Sequence, residues 1–231
     1  MRVSHVALDD FRSYRHAVVE FAPGTTVLLG SNGQGKTNLV EAVSYLSAFS
    51  SHRVSAEQAL VRLPLSADEP QPGGAVVRVR LVTAGERETV IELEIVRGKA
   101  NRAKVNRTQV RPREVLGLLK SVVFSPEDLQ IVRGDPQVRR QFLDDLLIQQ
   151  RPLIAQVKAD FDKVARQRAA LMKSAQAQLR RGFTPDFSTV EVWDDTFAQL
   201  SAQLSLARVG LVEELRGPAA HAYEEIGGSP R

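Results

Sequence analysis

Apolar residues along the first hundred positions recur mostly at every second residue, and after position 112 mostly at every third or fourth. Val3 to Leu8 alternates, Ala17 to Phe21 is apolar-rich, and residues 26–29 form a short apolar run ending at Gly30. These read as strands, the last as a buried one. Leu39, Val40, Val43, Leu46 and Ala48 follow at helical spacing. Residues 66–74 are a loop by their Pro and Gly content. Val76–Val82 and 89–96 then alternate strictly, with Val77, Val79 and Leu81 on one face and Arg78 and Arg80 on the other. An antiparallel hairpin is expected there, extended by the stretch 101–110.

The second half carries helix signals. Ser125 before Pro126, with Glu127 and Asp128 in the first turn, reads as a capped start, and Asp135-Pro136 repeats the device. A long helix is expected from about 152 to 179, with Ile154, Val157, Phe161, Val164, Leu171 and Ala175 on one stripe. A turn at 182–185 leads to a second, carrying Val192, Phe197, Leu200, Leu204, Leu211 and Leu215. Such a pair reads as an antiparallel helical arm whose helices each run about 25–30 residues, roughly 40 Å. The expected division is 1–111 for an α/β part and 112–231 for the arm. The chain ends at Gly-Gly-Ser-Pro-Arg231 without a closing element, as a piece of a longer protein would.

Composition narrows the chemistry. The 231 residues hold 31 Lys+Arg against 27 Asp+Glu, a net charge of +4, and no cysteine. Disulfides, cysteine-ligated zinc, iron–sulfur clusters and thiol nucleophiles are therefore excluded. The four histidines, His5, His16, His52 and His221, show no metal-binding spacing. No apolar run reaches the roughly 18 residues of a membrane span, and charges interrupt the N-terminus where a signal peptide would be apolar. A cytoplasmic protein is expected. Its basic residues cluster: Arg97, Lys99, Arg102, Lys104, Arg107, Arg111 and Arg113 lie in one acid-free stretch, and Lys163, Arg166, Arg168, Lys173, Arg180 and Arg181 in another. Stripes of this kind attract polyanions.

One string carries specific chemistry. Gly30, Ser31, Asn32, Gly33, Gln34, Gly35, Lys36 and Thr37 fit GxxxxGK[ST] at every fixed position. The glycines let main-chain N–H groups converge on phosphates, Lys36 adds a mobile positive charge, and the Thr37 hydroxyl is the expected Mg²⁺ ligand. The helix that follows offers its positive end to the anion. Neither NKxD nor DxxG occurs, so adenine rather than guanine nucleotide is expected, with ATP and Mg²⁺ as cofactors. A second acid after an apolar strand, needed to activate water, is missing. Leu200-Ser-Ala-Gln203 lacks the glycine of an ABC signature loop. The chain is expected to hold ATP with negligible turnover.

Several strings together resemble the RecF family, the recombination-mediator members of the SMC-like branch of ABC ATPases. They are Asp10-Phe-Arg-Ser13, Gly30-x-Asn32-Gly-x-Gly-Lys-Thr-Asn38-Leu-x-Glu41-Ala42, Ser51-His-Arg53 and Ser125-Pro-Glu-Asp-Leu129. Val132-x-Gly134-x-Pro136-x-x-Arg139-Arg140-x-Phe-Leu-Asp144 and Trp193-Asp194 follow in the same order. The resemblance implies part of an ABC-type P-loop ATPase head joined to a helical arm. It also implies a further hundred or more residues that supply the signature loop and acid strand. Carried over to matching positions, it places Asn38 at the nucleotide, Arg12 near phosphates or base, and Glu127 and Asp128 where related heads sense Mg²⁺ and water. Lys36 and Thr37, with Glu127, are the catalytic candidates; Thr37 and Asp128 are the metal candidates.

Function by resemblance is an ATP-gated dimeric clamp on double-stranded or gapped DNA. It would act with RecR and RecO to place RecA, in repair, replication-fork maintenance and SOS induction, with weak DNA-stimulated ATPase activity in the whole protein. Arg97, Lys99, Arg102, Lys104 and Arg107 become the first DNA-contact candidates, ahead of Arg166, Arg168, Arg180 and Arg181. An SMC-type chromosome-structure ATPase is the alternative, and a P-loop small-molecule kinase a more distant one. The short arm argues against the former.

Overall fold

A computed structural model describes residues 1–51, 53–54, 56–66, 68–184 and 188–227, with the side chains of 127, 188, 189, 191 and 192 outside the description. The chain divides into two compact units, Met1–Leu129 and Gln130–Arg231. Residues 112–129 fall in the first, because Val115 and Leu119 belong to its core.

The first unit is built on a six-stranded antiparallel sheet in the order β2-β1-β3-β4-β5-β6. Its strands are β1 (Arg2–Phe11), β2 (Tyr14–Glu20), β3 (Gly74–Val82), β4 (Glu88–Val96), β5 (Arg102–Val105) and β6 (Thr108–Val110). The alternation seen in the sequence becomes two faces, since successive side chains point to opposite sides of a strand. Val6, Leu8, Val77, Val79, Leu81, Ile91, Leu93 and Ile95 are buried on one, packed with Leu39, Ala42, Tyr45 and Leu46 of helix α1 (Lys36–Ala48). β5 and β6 join through Asn106 and Arg107, both at positive φ (50° and 70°), as a two-residue primed hairpin turn requires.

The solvent face carries a chain of charges across five strands. His16 Nδ1 meets Asp9 Oδ1 at 2.6 Å, and Arg78 joins Asp9 (2.7 Å) to Glu92 (2.5 Å). Lys104 closes on Glu92 at 2.7 Å. Burial pushes the Asp9 carboxyl up, but its bonds to His16 and Arg78 outweigh that and hold it below the usual aspartate range. Glu92 is lowered chiefly by the Lys104 hydrogen bond and further by Arg78.

Residues 26–29 do not form the expected strand. Val27 is 71% and Leu29 87% exposed, and no strand pairs with them among the described residues. An apolar run becomes a strand only where a neighbour completes its ladder, and the sheet edges here are β2 and β6. The run is instead without regular secondary structure, with Leu28 lining a groove of about 360 Å³ alongside Leu39, Val40, Val43, Val122 and Val123.

The second unit is helical: α2 (Gln130–Arg133), α3 (Pro136–Gln150), α4 (Ile154–Arg180) and α5 (Ser188–Gly227). Asp135 caps α3 by accepting from the Gln137 N–H at 2.7 Å, with Pro136 at the first turn, as the sequence reading expected. α4 and α5 meet along a seam where Phe161 stacks on Phe197 at 5.4 Å and Arg168 reaches Asp194; Val164 and Ala175 of α4 and Leu204 and Leu211 of α5 are buried. α5 is longer than expected. Its 40 residues reach about 60 Å and pass through Pro218, which forfeits one helical hydrogen bond but is followed by Ala219 and Ala220, strong helix formers.

Candidate nucleotide-binding site

Residues 30–35 turn sharply into α1. Gly30, Gly33 and Gly35 all have positive φ (148°, 84° and 94°). Gly35 is the most constrained. A Cβ there would lie 2.8 Å from Ser13 Oγ and 3.0 Å from the Tyr14 ring, so the turn between β1 and β2 forms the floor of the loop. Only glycine meets both demands, a left-handed backbone and close approach.

Gly35 also occupies the N-cap of α1 and supplies no side-chain bond, and no acid lies in the first turn. The first amides of α1 therefore keep their donors for an anion. Lys36 Nζ donates to the carbonyls of Gly30 and Ser31, both at 2.8 Å, folding across the loop where phosphate oxygens would compete for it. Thr37, the next residue, is exposed. Donor set and cradle fit a magnesium-bound triphosphate: main-chain amides and Lys36 toward the phosphates, Thr37 toward the metal.

Beside the loop opens a cleft of about 800 Å³ whose lining includes Arg12, Arg15, Arg53, Arg62, Ser13 and Asn38. Asn38 Nδ2 donates to Ser13 Oγ at 2.9 Å, and its Oδ1 accepts from Arg53 Nη1 at 2.8 Å. Behind these lies Glu41, a carboxylate only 1% exposed. It accepts from Arg12 Nε (2.9 Å) and Nη2 (2.6 Å), from Arg53 Nη1 (3.1 Å) and from Ser51 Oγ (2.5 Å). Burial pushes the Glu41 carboxyl up. The hydrogen bonds from Arg12 and Ser51 and the two guanidinium charges outweigh that and hold it below the glutamate range.

Arg12 thus lines the cleft, with Nε and Nη2 on Glu41 and Nη1 on the Ala59 carbonyl at 3.0 Å. Two further pairs brace the same wall: Arg62 bonds Asp10 (2.8 Å) and Glu69 (2.7 Å), an arginine itself only 6% exposed. Asp10 and Arg12 both hold positive φ (47° and 53°), an uncommon backbone for residues with a Cβ, and these ion pairs fix it. Sequence reasoning named Asn38 and Arg12 but gave no role to Glu41, Arg53 or Ser13. The available signal was an acid on the stripe that also carries Asn38, Ala42 and Tyr45, three and four residues apart on a helix otherwise facing the core.

Other sequence candidates lie elsewhere. Asp128 accepts from the Ser125 N–H at 2.6 Å, closing its own turn, while Ser125 Oγ is buried without a hydrogen-bond partner. The side chain of Glu127 lies outside the described residues. No group of three or more His, Asp or Glu side chains able to hold a metal occurs among the described residues. Of the basic hairpin, Lys104 is paired with Glu92 and Arg102 lies 3.7 Å from Glu94. Arg107 sits at the β5–β6 turn, Lys99 is exposed after β4, and Arg97 has Nε and Nη2 buried without a hydrogen-bond partner.

The sequence profile of the family described as RecF/RecN/SMC N terminal domain matches residues 2–206. The chain belongs to that family. It is 49% identical over 230 residues to the DNA replication and repair protein RecF of Frankia alni, covering 99% of this chain and 59% of that protein. It is 50% identical to the RecF of Beutenbergia cavernae, over 98% and 56%. The chain therefore spans a little over half the length of these relatives. Two solved structures of the recombination mediator protein RecF in the RecFOR pathway, one with ATP, superpose with TM-scores of 0.84 and 0.82 at 27% identity, over 98% of this chain and 58% of each of theirs. An SMC head domain with an extended coiled coil from Pyrococcus furiosus shares the fold at a TM-score of 0.51 and 20% identity, over 93% of this chain and 58% of that one. The α/β head with its helical arm is thus the RecF and SMC ATPase architecture. No helix among the described residues is long and apolar enough to cross a membrane.

Proposed function

We propose that this chain binds Mg²⁺–ATP at residues 30–37 and serves DNA replication and recombinational repair as the nucleotide-holding part of a RecF-type protein. The observation carrying this reading is Lys36, bonded to the Gly30 and Ser31 carbonyls beside the uncapped start of α1. The amides at 33–37 would bind the phosphates, Thr37 would face the metal, and Asn38 with the Glu41-held arginines would line the approach. ATP would draw two copies together into a clamp on double-stranded or gapped DNA, with differential affinity for the closed state driving closure. RecR, RecO and RecA are the proposed partners, the SOS response the wider setting, and the cytoplasm the compartment. RecF rather than SMC is favoured by identity near 50% along almost the whole chain.

Titration of a fluorescent ATP analogue into the chain and its Lys36→Ala variant tests the reading. Saturable, magnesium-dependent binding is expected in the parent, and at least a tenfold loss in the variant. Equal affinity in both would refute the cradle.

A further inference from the structure

The acid-free stretch on α4 carries three cations on one exposed face without counter-charges. Counted from the buried seam through Val164 and Ala175, residues 166, 173 and 180 fall on the opposite side of the helix, each seven residues from the next. Two helical turns separate neighbours, so Arg166, Lys173 and Arg180 stand about 10.5 Å apart along a straight line. All three are exposed, and none forms an ion pair among the described residues. Lys163 and Arg181 flank the line, also exposed. The acid on this face, Asp162, lies at its N-terminal end and is bonded to Lys158 at 2.5 Å. Arg168, the other basic residue of the stretch, points into the seam, bonded to Asp194 at 2.5 Å and lying over Phe197.

What lies between the cations matters as much. Ala169, Ala170, Gln176 and Ala177 occupy the intervening positions, small or neutral side chains that let a flat polyanion approach the helix. Protein partners are gripped mainly by buried aromatic and arginine anchors in pockets, and this line carries no aromatic residue. A phosphate backbone needs only regularly placed, unpaired cations. In the β4–β5–β6 hairpin, Glu92 and Glu94 already face Lys104 and Arg102, which breaks its run of free cations.

We infer that the Arg166–Lys173–Arg180 line of α4 is a phosphate-backbone contact surface for duplex DNA, in place of the hairpin. This rests on the DNA-directed reading above and names the surface that would serve it. Contacts of this kind position the duplex without reading its sequence.

The experiment uses the whole chain with a fluorescein-labelled duplex of random sequence, its anisotropy followed across a sodium chloride series. The parent chain is compared with Arg166→Gln/Lys173→Gln/Arg180→Gln and with Arg102→Gln/Lys104→Gln/Arg107→Gln. Glutamine is a good helix former, so far-UV circular dichroism should be unchanged in the first variant. We expect the α4 variant to lose roughly tenfold or more in affinity at low salt, and the slope of log K against log salt to fall by about 2.7. The hairpin variant should change much less, and Arg166→Lys/Arg180→Lys should retain binding. Undiminished binding by the α4 variant, or a loss confined to the hairpin variant, would overturn the inference while leaving the DNA reading intact. A parent chain that binds no duplex would overturn both, and binding of an acidic polypeptide alone would transfer the surface to a protein partner.

Discussion

Glu41 and Arg12, twenty-nine residues apart, meet as a two-pronged ion pair: Nε and Nη2 of the guanidinium lie 2.9 and 2.6 Å from the two carboxylate oxygens. The carboxylate comes from α1, directly after the phosphate loop, and the guanidinium from the turn beneath that loop. One pair therefore ties the two halves of the cradle together. Glu41 is buried, at 1% side-chain exposure, and Arg12 half-buried at 16%, so the carboxylate depends on its protein partners rather than on water.

Removing the negative partner should be costly. Glu41→Gln leaves Arg12 and Arg53 facing each other without a counter-charge and is expected to destabilise the chain by about 3 kcal/mol or more. Urea denaturation followed by circular dichroism would measure this. A loss below about 1 kcal/mol would mean that Glu41 contributes little to holding the cleft together.

The same carboxylate should confer a pH dependence. Because its folded value lies below its ordinary one, its contribution is fully present above the usual glutamate range and is lost as pH falls through the folded value. Asp9 and Glu92 are lowered as well and act in the same direction, more weakly because both are partly exposed. Melting temperature should therefore be flat from about pH 7 to pH 5 in this respect and fall below that. Glu41→Gln should show a shallower fall than the parent; parallel curves would exclude Glu41 as a source.

Gly35→Ala tests the floor of the loop. The substitution forces a left-handed backbone on alanine, costing about 1–2 kcal/mol, and drives its Cβ against Ser13 Oγ and the Tyr14 ring. Gly33→Ala carries a similar backbone penalty, but nothing lies within 4 Å of its added Cβ. Stability loss should be clearly larger at position 35. Adding Ser13→Ala should restore only part of it, because the tyrosine contact remains. Equal effects at 33 and 35 would show that the close approach does not matter.

The alternation of 76–82 and 89–96 and the three- and four-residue steps of α4 were legible because period alone dictates which side is buried. The phosphate loop was legible because its chemistry admits few residue types. Three features were not. Residues 26–29 have strand composition, yet pairing is a property of neighbours and leaves no local mark. Lys104 and Arg102 looked like a free basic patch because Glu92 and Glu94 lie on the neighbouring strand, across the ladder. Glu41 carried no role in the sequence because its partners Arg12, Ser51 and Arg53 reach it only through the fold. Local pattern fixes elements; charge partners are settled only by register.

In the helical unit, Asp144 of α3 and Arg208 of α5 form a second buried two-pronged pair, at 2.8 and 2.9 Å, with the carboxylate 1% exposed. Asp144→Asn leaves the guanidinium with a weaker, neutral partner and should destabilise this unit by about 3 kcal/mol. A pair of this sort supplies registry more than net energy, because desolvating both charges offsets much of their attraction. Asp144→Leu combined with Arg208→Met should therefore recover most of what Asp144→Leu alone loses. Thermal unfolding of the single and double variants measures the coupling. Full additivity of the two substitutions would mean that α3 and α5 are held by Leu147, Ile148 and their neighbours without help from the ion pair.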